Sequence, residues 1–326
     1  MARALVIAPW VEHLRRLGTP FETLLVRSGI RPNLLWQPGA VVPLKKVLRW
    51  VELACQTVGT EHLGVLVGRE TAIEALGSYG RVLAGTGTLG QYLHQGIALY
   101  RTLVVGLTPW LSVHGNRIRI NLGCEWEPGL GNYQADLNFF TITVANIRKF
   151  AGPRWSPTEV CLGFKAREPL PADLFGDARV LYRPGRSYLE FPRALLGLGR
   201  RQDPGGPAVG PSAYPTPLPN DLVGLVELQI ESVLAGRTVP VDLIAESLGM
   251  SRRGLQRGLA ARSISYRELL HRVRLRRAAD WLARSDKPVI EIALDLGYTD
   301  ASNFTRAFRR QTGVSPQRFR QTIAQR

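Results

Sequence analysis

Arginine and glutamine side chains stand close together between Ser251 and Leu259, near the C-terminal end of the sequence. An arginine can donate two hydrogen bonds to guanine O6 and N7, and a glutamine can pair with adenine N6 and N7. In a helix, Leu255 and Leu259 would share a buried face and leave the polar side chains outside. We expect this segment to contact DNA in the major groove through Ser251, Arg252, Arg253, Gln256 and Arg257.

A second segment of the same type runs from Ala301 to Arg310. The i to i+4 spacing of Phe304 and Phe308 suits burial in a core better than stacking on bases. A solvated basic surface would explain either segment alone, but two such helices in one chain favour DNA binding. The candidate DNA contacts of the second segment are Ser302, Asn303, Thr305, Arg306, Arg309 and Arg310.

Each segment follows a short amphipathic stretch and a glycine, which is the order of a helix-turn-helix. Ala245 is small enough to let a second helix cross closely, and Gly249 stands where the chain must turn, a position that often needs positive φ. Ser251 is a good N-cap for the helix that follows. The second unit repeats this pattern, with Asp300 as the capping candidate.

One continuous helix is predicted between the two units, from Tyr266 to Arg284, because its apolar residues recur at helical spacing. A rigid connector would set the distance between the two outer helices. Entry into successive major grooves requires a spacing of about 34 Å along the DNA. The paired units and their spacer are therefore a sharper signal than either unit alone.

The 326 residues carry 42 Lys and Arg against 26 Asp and Glu, a net charge of +16. Such an excess favours a polyanionic partner, since bound phosphate releases counterions. Basic residues occur in both halves of the chain, so total charge does not locate a binding surface. Local charge density is more informative, because the segment from Arg252 to Arg277 is rich in arginine and contains one acidic residue, Glu268. Arg318 and Arg320 fit either a solvated tail or phosphate contacts.

Residues 222–326 resemble the DNA-binding domain of the AraC/XylS family of bacterial transcription regulators. The matching stretches are Ala-x3-Gly-Met-Ser-x3-Leu-Gln-Arg (245–257), Tyr-Arg-Glu-Leu-Leu with Val-Arg (266–274), Ile-Ala-x2-Leu-Gly-Tyr-x-Asp-x-Ser-x-Phe-x-Arg-Ala-Phe (292–308) and Gly-Val-Ser-Pro-x2-Phe-Arg (313–320).

This resemblance implies DNA contacts by Arg253, Gln256 and Arg257 of the first unit. In the second unit it implies contacts by Ser302, Thr305 and Arg306, with Arg306 directed to phosphate rather than to a base. One departure is Ser263, which stands where family members usually have glycine at the bend before the connector. If that bend needs positive φ, Ser263 is mildly strained.

The N-terminal part mixes helices and strands, and is predicted to be α+β. A helix is expected over Thr88 to Thr102, with Thr88 and Gln91 as a capping box. Alternating residues on both sides of Gly115-Asn116 predict a hairpin over Leu111 to Leu122. A second helix is predicted over Ala135 to Phe150. Short strands are predicted at Val160 to Phe164, Ala178 to Tyr182 and Tyr188 to Phe191.

Three parts follow along the chain. Residues 1–198 form the expected effector-binding and dimerisation domain, residues 199–221 a Pro- and Gly-rich linker, and residues 222–326 an all-α domain of seven helices. Residues 20–192 resemble the arabinose-binding type of N-terminal domain, through Leu76-Gly-x-Tyr-Gly, Thr88-Leu-Gly and Phe150-Ala-Gly-Pro-x-Trp-x-Pro-x2-Val160. That resemblance implies a small-molecule effector and a homodimer without identifying the effector.

Metal and cofactor chemistry are not indicated, because the three cysteines and five histidines are scattered. Cys124 lacks a nearby base, so a buried structural thiol is expected rather than a nucleophile. Six further residues could line a ligand pocket, but we expect them to be ordinary residues of the hydrophobic core: Tyr92, Tyr100, Arg101, Trp110, Trp126 and Tyr133. Neither a signal peptide nor a membrane span is visible, so a cytoplasmic protein is expected.

The sequence thus predicts a non-enzymatic transcription regulator that binds double-stranded promoter DNA under the control of an effector. An activator would also contact RNA polymerase. Two alternatives stay open: a constitutive DNA-binding regulator, and an enzyme domain fused to a DNA-binding tail. A filled N-terminal core would favour the first, and the second would need a cysteine cluster or a nucleophile elbow.

Overall fold

The computed structural model describes residues 1–37, 39–124, 129–165, 168–201, 216–234 and 239–324. The chain divides into two compact units, one of Met1–Trp36 and Val42–Leu218 and the other of Gln37–Val41 and Pro219–Arg326. Trp126 lies outside the described residues, and so do residues 202–215 of the expected linker.

The N-terminal unit is α+β, as its sequence predicts. Its helices are α1 (Ala8–Arg16), α2 (Phe21–Arg27), α3 (Leu44–Val58), α4 (Leu63–Glu70), α5 (Gly77–Ala84), α6 (Leu89–Leu99) and α7 (Leu130–Ala151). The predicted capping box of α6 is present, since the Thr88 hydroxyl accepts from the Gln91 amide and the Gln91 side chain accepts from the Thr88 amide. A single 3-10 turn, Tyr100–Thr102, continues from α6.

Five strands form one sheet. They are β3 (Leu107–His114), β4 (Arg117–Cys124), β5 (Glu159–Leu162), β6 (Arg179–Tyr182) and β7 (Ser187–Pro192), following the short strands β1 (Ala2–Arg3) and β2 (Val41–Val42). The order is β3-β4-β7-β5-β6, with one parallel pair, β5 and β6. His114 pairs with Arg117 across the Gly115-Asn116 turn, which confirms the hairpin.

Helix α7 packs against α3 and α4 at backbone distance. A Cβ atom on Gly64 would lie 2.2 Å from the Gln134 carbonyl oxygen, and one on Gly131 would lie 2.4 Å from the Leu48 carbonyl oxygen. Only glycine permits such an approach. The fully buried Gln134 side chain ties the helices together, because it accepts from the Gly64 amide at 2.7 Å and donates to the Glu61 carbonyl.

Helix α7 begins at Leu130, earlier than the predicted start at Ala135. No side chain caps its first turn, so the sequence carried no start signal there. The helix ends at Ala151, as expected from the glycine that follows. Two further expectations need correction. Cys124 is half-buried, with its Sγ accepting from Asn132 at 2.7 Å. Trp110, which is 45% exposed on β3, and the exposed Arg101 are not part of the core.

The C-terminal unit is all helical in the residues the structure describes, with the seven helices its sequence predicts. They are α8 (Leu222–Val233), α9 (Val241–Ser247), α10 (Arg252–Ala260), α11 (Tyr266–Arg284), α12 (Val289–Asp295), α13 (Ala301–Thr312) and α14 (Pro316–Ala324). One apolar cluster joins all of them, α14 through Phe319 at its edge.

Both described ends of the expected linker are hydrogen-bonded to the N-terminal unit. The Arg200 amide donates to the Gly87 carbonyl, and the Arg201 amide donates to the Lys149 carbonyl. On the far side, the buried Leu218 donates its amide to the Arg101 carbonyl at 3.0 Å. The described parts of the chain contain no helix long and apolar enough to cross a membrane.

The stability of the N-terminal unit should depend on Asp136, a buried carboxyl on α7. Burial raises its pKa to about 7, even though the Ser187 hydroxyl donates to it. The folded state therefore holds a proton that the unfolded chain releases near its ordinary pKa of 3.8. The stability that this proton confers is complete below the unfolded pKa and is lost as pH rises through about 7.

We expect Asp136→Asn to flatten this dependence. Between about pH 5.5 and about pH 7.5 the wild type should lose about 1–2 kcal/mol of unfolding free energy relative to the variant. Urea denaturation of both proteins at the two pH values measures the difference. Parallel curves for wild type and variant would contradict the assignment, and Asp177→Asn, on an exposed side chain, serves as the matched control.

Candidate nucleic-acid interface

The first helix-turn-helix is built around a small residue and a left-handed turn. Ala245 is buried on α9, and its carbonyl accepts from the Met250 amide at 2.8 Å. Gly249 has φ of 70°, which explains the glycine at the turn. Ser251 then caps α10, as predicted, by accepting from the Gly254 amide at 3.1 Å. These contacts fix where α10 starts and which residues form its first turn.

Helix α10 has one buried face and one open face. Leu255 and Leu259 are fully buried, as their spacing predicts. On the open face the side chains of Arg253, Gln256 and Arg257 are exposed and make no hydrogen bond to any residue of the described ranges. Arg252 is also exposed, but it forms an ion pair with Asp242 at 3.2 Å. Apart from Arg252, the open face thus offers donors that have no partner among the described residues to give up.

The second unit has the same construction. Ala293 is buried on α12, Gly297 has φ of 75°, and Asp300 caps α13 by accepting from the Asn303 amide at 2.7 Å. That amide holds the pKa of the exposed Asp300 carboxyl below its ordinary value. Phe304 and Phe308 are fully buried with ring centroids 5.6 Å apart, so their predicted core role is confirmed.

The open face of α13 is partly hydrogen-bonded already. The Asn303 side chain donates to Thr299 at 3.1 Å and to Asp300 at 2.6 Å, and its oxygen accepts from Arg306 at 2.6 Å. These contacts hold the Arg306 guanidinium in one place. Thr305 is half-buried, and a set of three exposed side chains shows no bond within the described residues: Ser302, Arg309 and Arg310.

Both open faces border the first turn of the connector α11. Ser265 and Glu268 form a capping box there, and the bonds from Ser265 keep the pKa of the exposed Glu268 carboxyl below its ordinary value. One cleft, which includes Gln256, is lined by Ser265, Arg267 and Glu268. A second cleft, which includes Arg306, is lined by the same three residues. The two helices therefore open onto adjoining parts of one surface.

The second cleft contains two side chains that the sequence analysis did not single out. Arg274 is stacked over the Tyr298 ring at 5.2 Å, and burial lowers its pKa. Burial also lowers the pKa of His271, followed by the positive charges of Arg310, Arg274 and Arg267. The buried His271 Nε2 and Arg274 Nε have no partner within the described ranges. The sequence did contain a signal for these two residues, because the spacing of 267, 271 and 274 puts them on one side of helix α11.

Other arginines of the same dense segment serve the fold. Arg272 pairs with Glu227 at 3.2 Å, and Arg276 pairs with Glu227 at 3.1 Å and with Glu231 at 2.6 Å, which joins α11 to α8. Arg320 donates to the Lys287 carbonyl, so it anchors α14. Charge density in the sequence could not separate these residues from the open ones.

The bend before α11 is strained. Ser263 has φ of 54°, and in the described ranges no other non-glycine residue has positive φ. This confirms the expectation for that departure from the family pattern.

In the same described ranges, no group of three His, Cys, Asp or Glu side chains is placed to hold a metal ion.

Two helix-turn-helix units with arginine-rich open faces define a DNA-binding protein. A family model described as a helix-turn-helix domain matches residues 244–322, and one described as the N-terminal arabinose-binding domain of AraC transcription regulators matches residues 18–199. The chain belongs to the AraC family of transcription regulators.

Two relatives match over nearly the whole chain, and a third matches over about a third of it. The ornithine utilization regulator of Pseudomonas aeruginosa is 25% identical, over 93% of this chain and 91% of that protein. The HTH-type transcriptional regulator VirS of Mycobacterium tuberculosis is 28% identical, over 98% of this chain and 96% of that protein. SoxS of Escherichia coli is 32% identical over 106 residues, which are 32% of this chain and 92% of that protein.

Solved structures resemble the chain loosely. The regulator CdpR from Pseudomonas aeruginosa has a TM-score of 0.40 at 19% identity, over 93% of this chain and 96% of that one. The DNA-binding domain of AdpA in complex with a target DNA has a TM-score of 0.29 at 27% identity, over 33% of this chain and 97% of that one. Likenesses of this degree carry no argument about individual contacts.

The cap of α10 can be tested apart from DNA contact. Ser251→Ala removes the bond to the Gly254 amide and should cost about 1 kcal/mol of unfolding free energy. Ser251→Asp keeps an acceptor and should restore stability, but its charge should repel phosphate. We therefore expect the aspartate variant to be as stable as wild type in thermal denaturation yet weaker in DNA binding. An alanine variant of unchanged stability would argue against the cap.

Proposed function

We propose that this regulator inserts α10 and α13 into successive major grooves of promoter DNA. The observation that carries the proposal is the pair of clefts beside α10 and α13 that share Ser265, Arg267 and Glu268. Because both helices open onto adjoining parts of one surface, a single duplex can meet both. Footprinting of the DNA upstream of its own gene tests this, and two protected stretches about one helical turn apart are expected.

Base contacts are assigned to α10. Arg253, Gln256 and Arg257 are exposed and unbonded within the described ranges, so they can turn to base edges without losing a protein partner. The Ser251 hydroxyl already caps α10 and Arg252 already pairs with Asp242. Both side chains are therefore assigned to phosphate contacts rather than to base contacts. A long side chain with free rotation pays an entropic cost on binding, but the bidentate pairs that it forms discriminate bases.

Phosphate contacts are assigned mainly to α13. Arg306 is held by the Asn303 oxygen, and the hydrogen bonds of Asn303 to Thr299 and Asp300 leave it little freedom to meet a base. Ser302 and Thr305 remain available at the groove. Further cations extend the phosphate surface: Arg309 and Arg310 on α13, and Arg267 and Arg274 on α11. His271, whose pKa is lowered by burial, and the half-buried Arg274 line the cleft where a phosphate oxygen would fit.

The N-terminal unit is proposed to sense a small molecule and to dimerise. A sensor needs a place for its ligand, and the helical part of this unit contains a cavity of about 120 Å³. A constitutive regulator would need none. Ligand binding would shift DNA affinity by favouring one conformation, and a homodimer would address repeated half-sites. In an activator, the bound dimer would also contact RNA polymerase.

Gln256→Ala should relax base preference at one position of the site. Loss of a bidentate pair with adenine costs about 1–3 kcal/mol of discrimination. Affinities for promoter fragments with each base pair at that position would measure it. The control is Gln56→Ala, on an exposed side chain of α3 in the other unit. If Gln256→Ala retained the wild-type ranking of all four fragments, the base contact would be excluded.

Arg306→Ala should weaken binding evenly across sequences and reduce the slope of log affinity against log salt by about one. Arg306→Lys keeps the charge and should restore the slope. Arg154→Ala, on an exposed side chain of the N-terminal unit, changes net charge equally and should leave the slope unchanged. An effect confined to one base pair would instead assign Arg306 to base recognition.

A further inference from the structure

The cavity of the N-terminal unit is lined mostly by residues of its hydrophobic core. It is lined from α1, α3, α6 and α7 and from the turns beside them, and its volume is about 120 Å³. Most of the wall is aliphatic or aromatic, and Tyr100 meets both Tyr79 and Phe139 edge to face, with ring centroids 6.4 Å and 5.6 Å apart. Two residues in this wall, Tyr92 and Tyr100, were expected to be plain core.

The polar groups of the wall are neutral, and besides three tyrosines they belong to Trp10, Thr71, Asn138 and Thr143. Of the described residues that line it, none carries a charge. The Tyr79 hydroxyl is already committed to the Gly96 carbonyl at 3.2 Å, whereas the Tyr92 and Tyr100 hydroxyls make no hydrogen bond within the described ranges. Burial raises the pKa of both phenols, so each keeps its proton and can donate.

Size and polarity together restrict the occupant. An apolar cavity of about 150 Å³ is known to hold one benzene ring, so this cavity suits a molecule of about that size. A sugar has hydroxyls on nearly every carbon and would lose most of its hydrogen bonds to water without replacement here. An anion would find no cation in the described wall, and Asp136 lies near Tyr100.

The cavity is also connected to the segment that leads into the DNA-binding unit. Tyr100 begins the Tyr100–Thr102 turn, and the carbonyl of the next residue, Arg101, accepts from the Leu218 amide at 3.0 Å. Arg3 donates both to the Thr102 carbonyl and to Thr216, at 2.9 Å for the latter. A movement of Tyr100 would therefore reach residues 216–218, just before α8.

We propose that this cavity binds a neutral, mainly apolar molecule the size of a single ring, with one polar group hydrogen-bonded to Tyr100 or Tyr92. Binding of this molecule changes the hydrogen bonds that Arg101 and Arg3 make to residues 216–218. The domain is thus built for such a ligand and not for a sugar, despite the name of the family model that it matches. This inference rests on the proposed effector control of DNA binding.

The first experiment compares four probes on the full chain by thermal shift and calorimetry: benzyl alcohol, toluene, benzoate and L-arabinose. Benzyl alcohol is expected to bind best and to raise the unfolding temperature, toluene to bind more weakly, and benzoate and arabinose not to bind. Binding of arabinose or benzoate as tight as that of benzyl alcohol, or no binding of either neutral ring, would overturn the inference.

Two variants locate the site. Tyr100→Phe should lower affinity for benzyl alcohol by about 2- to 10-fold, the usual worth of one neutral hydrogen bond, and leave toluene affinity unchanged. Tyr182→Phe, a phenol on β6 outside the cavity, should change neither. Ala135→Leu fills the cavity from α7 and should abolish binding of both rings. Equal loss of toluene and benzyl alcohol in Tyr100→Phe would refute the assigned hydroxyl.

The third measurement separates this inference from the proposed function. DNA affinity of the wild type is measured by footprinting with and without benzyl alcohol. A shift that Ala135→Leu abolishes supports both proposals. Bound benzyl alcohol with unchanged DNA affinity would refute the coupling through residues 216–218. Absence of specific DNA binding under either condition would refute the proposed DNA contacts, and the calorimetry would still decide what the cavity holds.

Discussion

Burial of two apolar side chains per outer helix is the constraint on which the rest of this molecule depends. Once Leu255 and Leu259 are inside on α10, and Phe304 and Phe308 on α13, helical geometry leaves the arginines and polar residues outside. Capping by Ser251 and Asp300 then fixes where each exposed face begins. Specific recognition in such a protein starts from packing, because the apolar pairs determine which side chains DNA can meet.

Much of the fold followed from local patterns. The connector from Tyr266 to Arg284, the hairpin around Gly115 and the capping box at Thr88 each depend on signals within a few residues, and such signals are visible in a sequence. The start of α7 was missed because its first turn is stabilised by contacts with α3 and α4 at Gly64 and Gly131 rather than by a cap. Long-range contacts of that kind leave no local trace.

The interface was predictable as a set of residue types but not as a set of roles. Spacing placed Gln256 and Arg306 outside, yet only the folded chain shows that Arg306 is hydrogen-bonded to its neighbour Asn303, whereas the Gln256 side chain has no such bond to any described residue. Likewise, Arg274 and Arg276 look alike in the sequence. One is stacked in a cationic cleft and the other is neutralised by glutamates of α8, because partners from distant segments decide the role of a charge.

The connector α11 has 19 residues, which at 1.5 Å per residue makes it about 28 Å long, shorter than one turn of DNA at about 34 Å. Its ion pairs with α8 stiffen it, so the protein has little capacity to stretch. In the proposed complex a duplex that bends toward the protein would make up this difference. Base steps that bend easily would be favoured at positions that no side chain contacts, so the deformability of the promoter would contribute to its recognition.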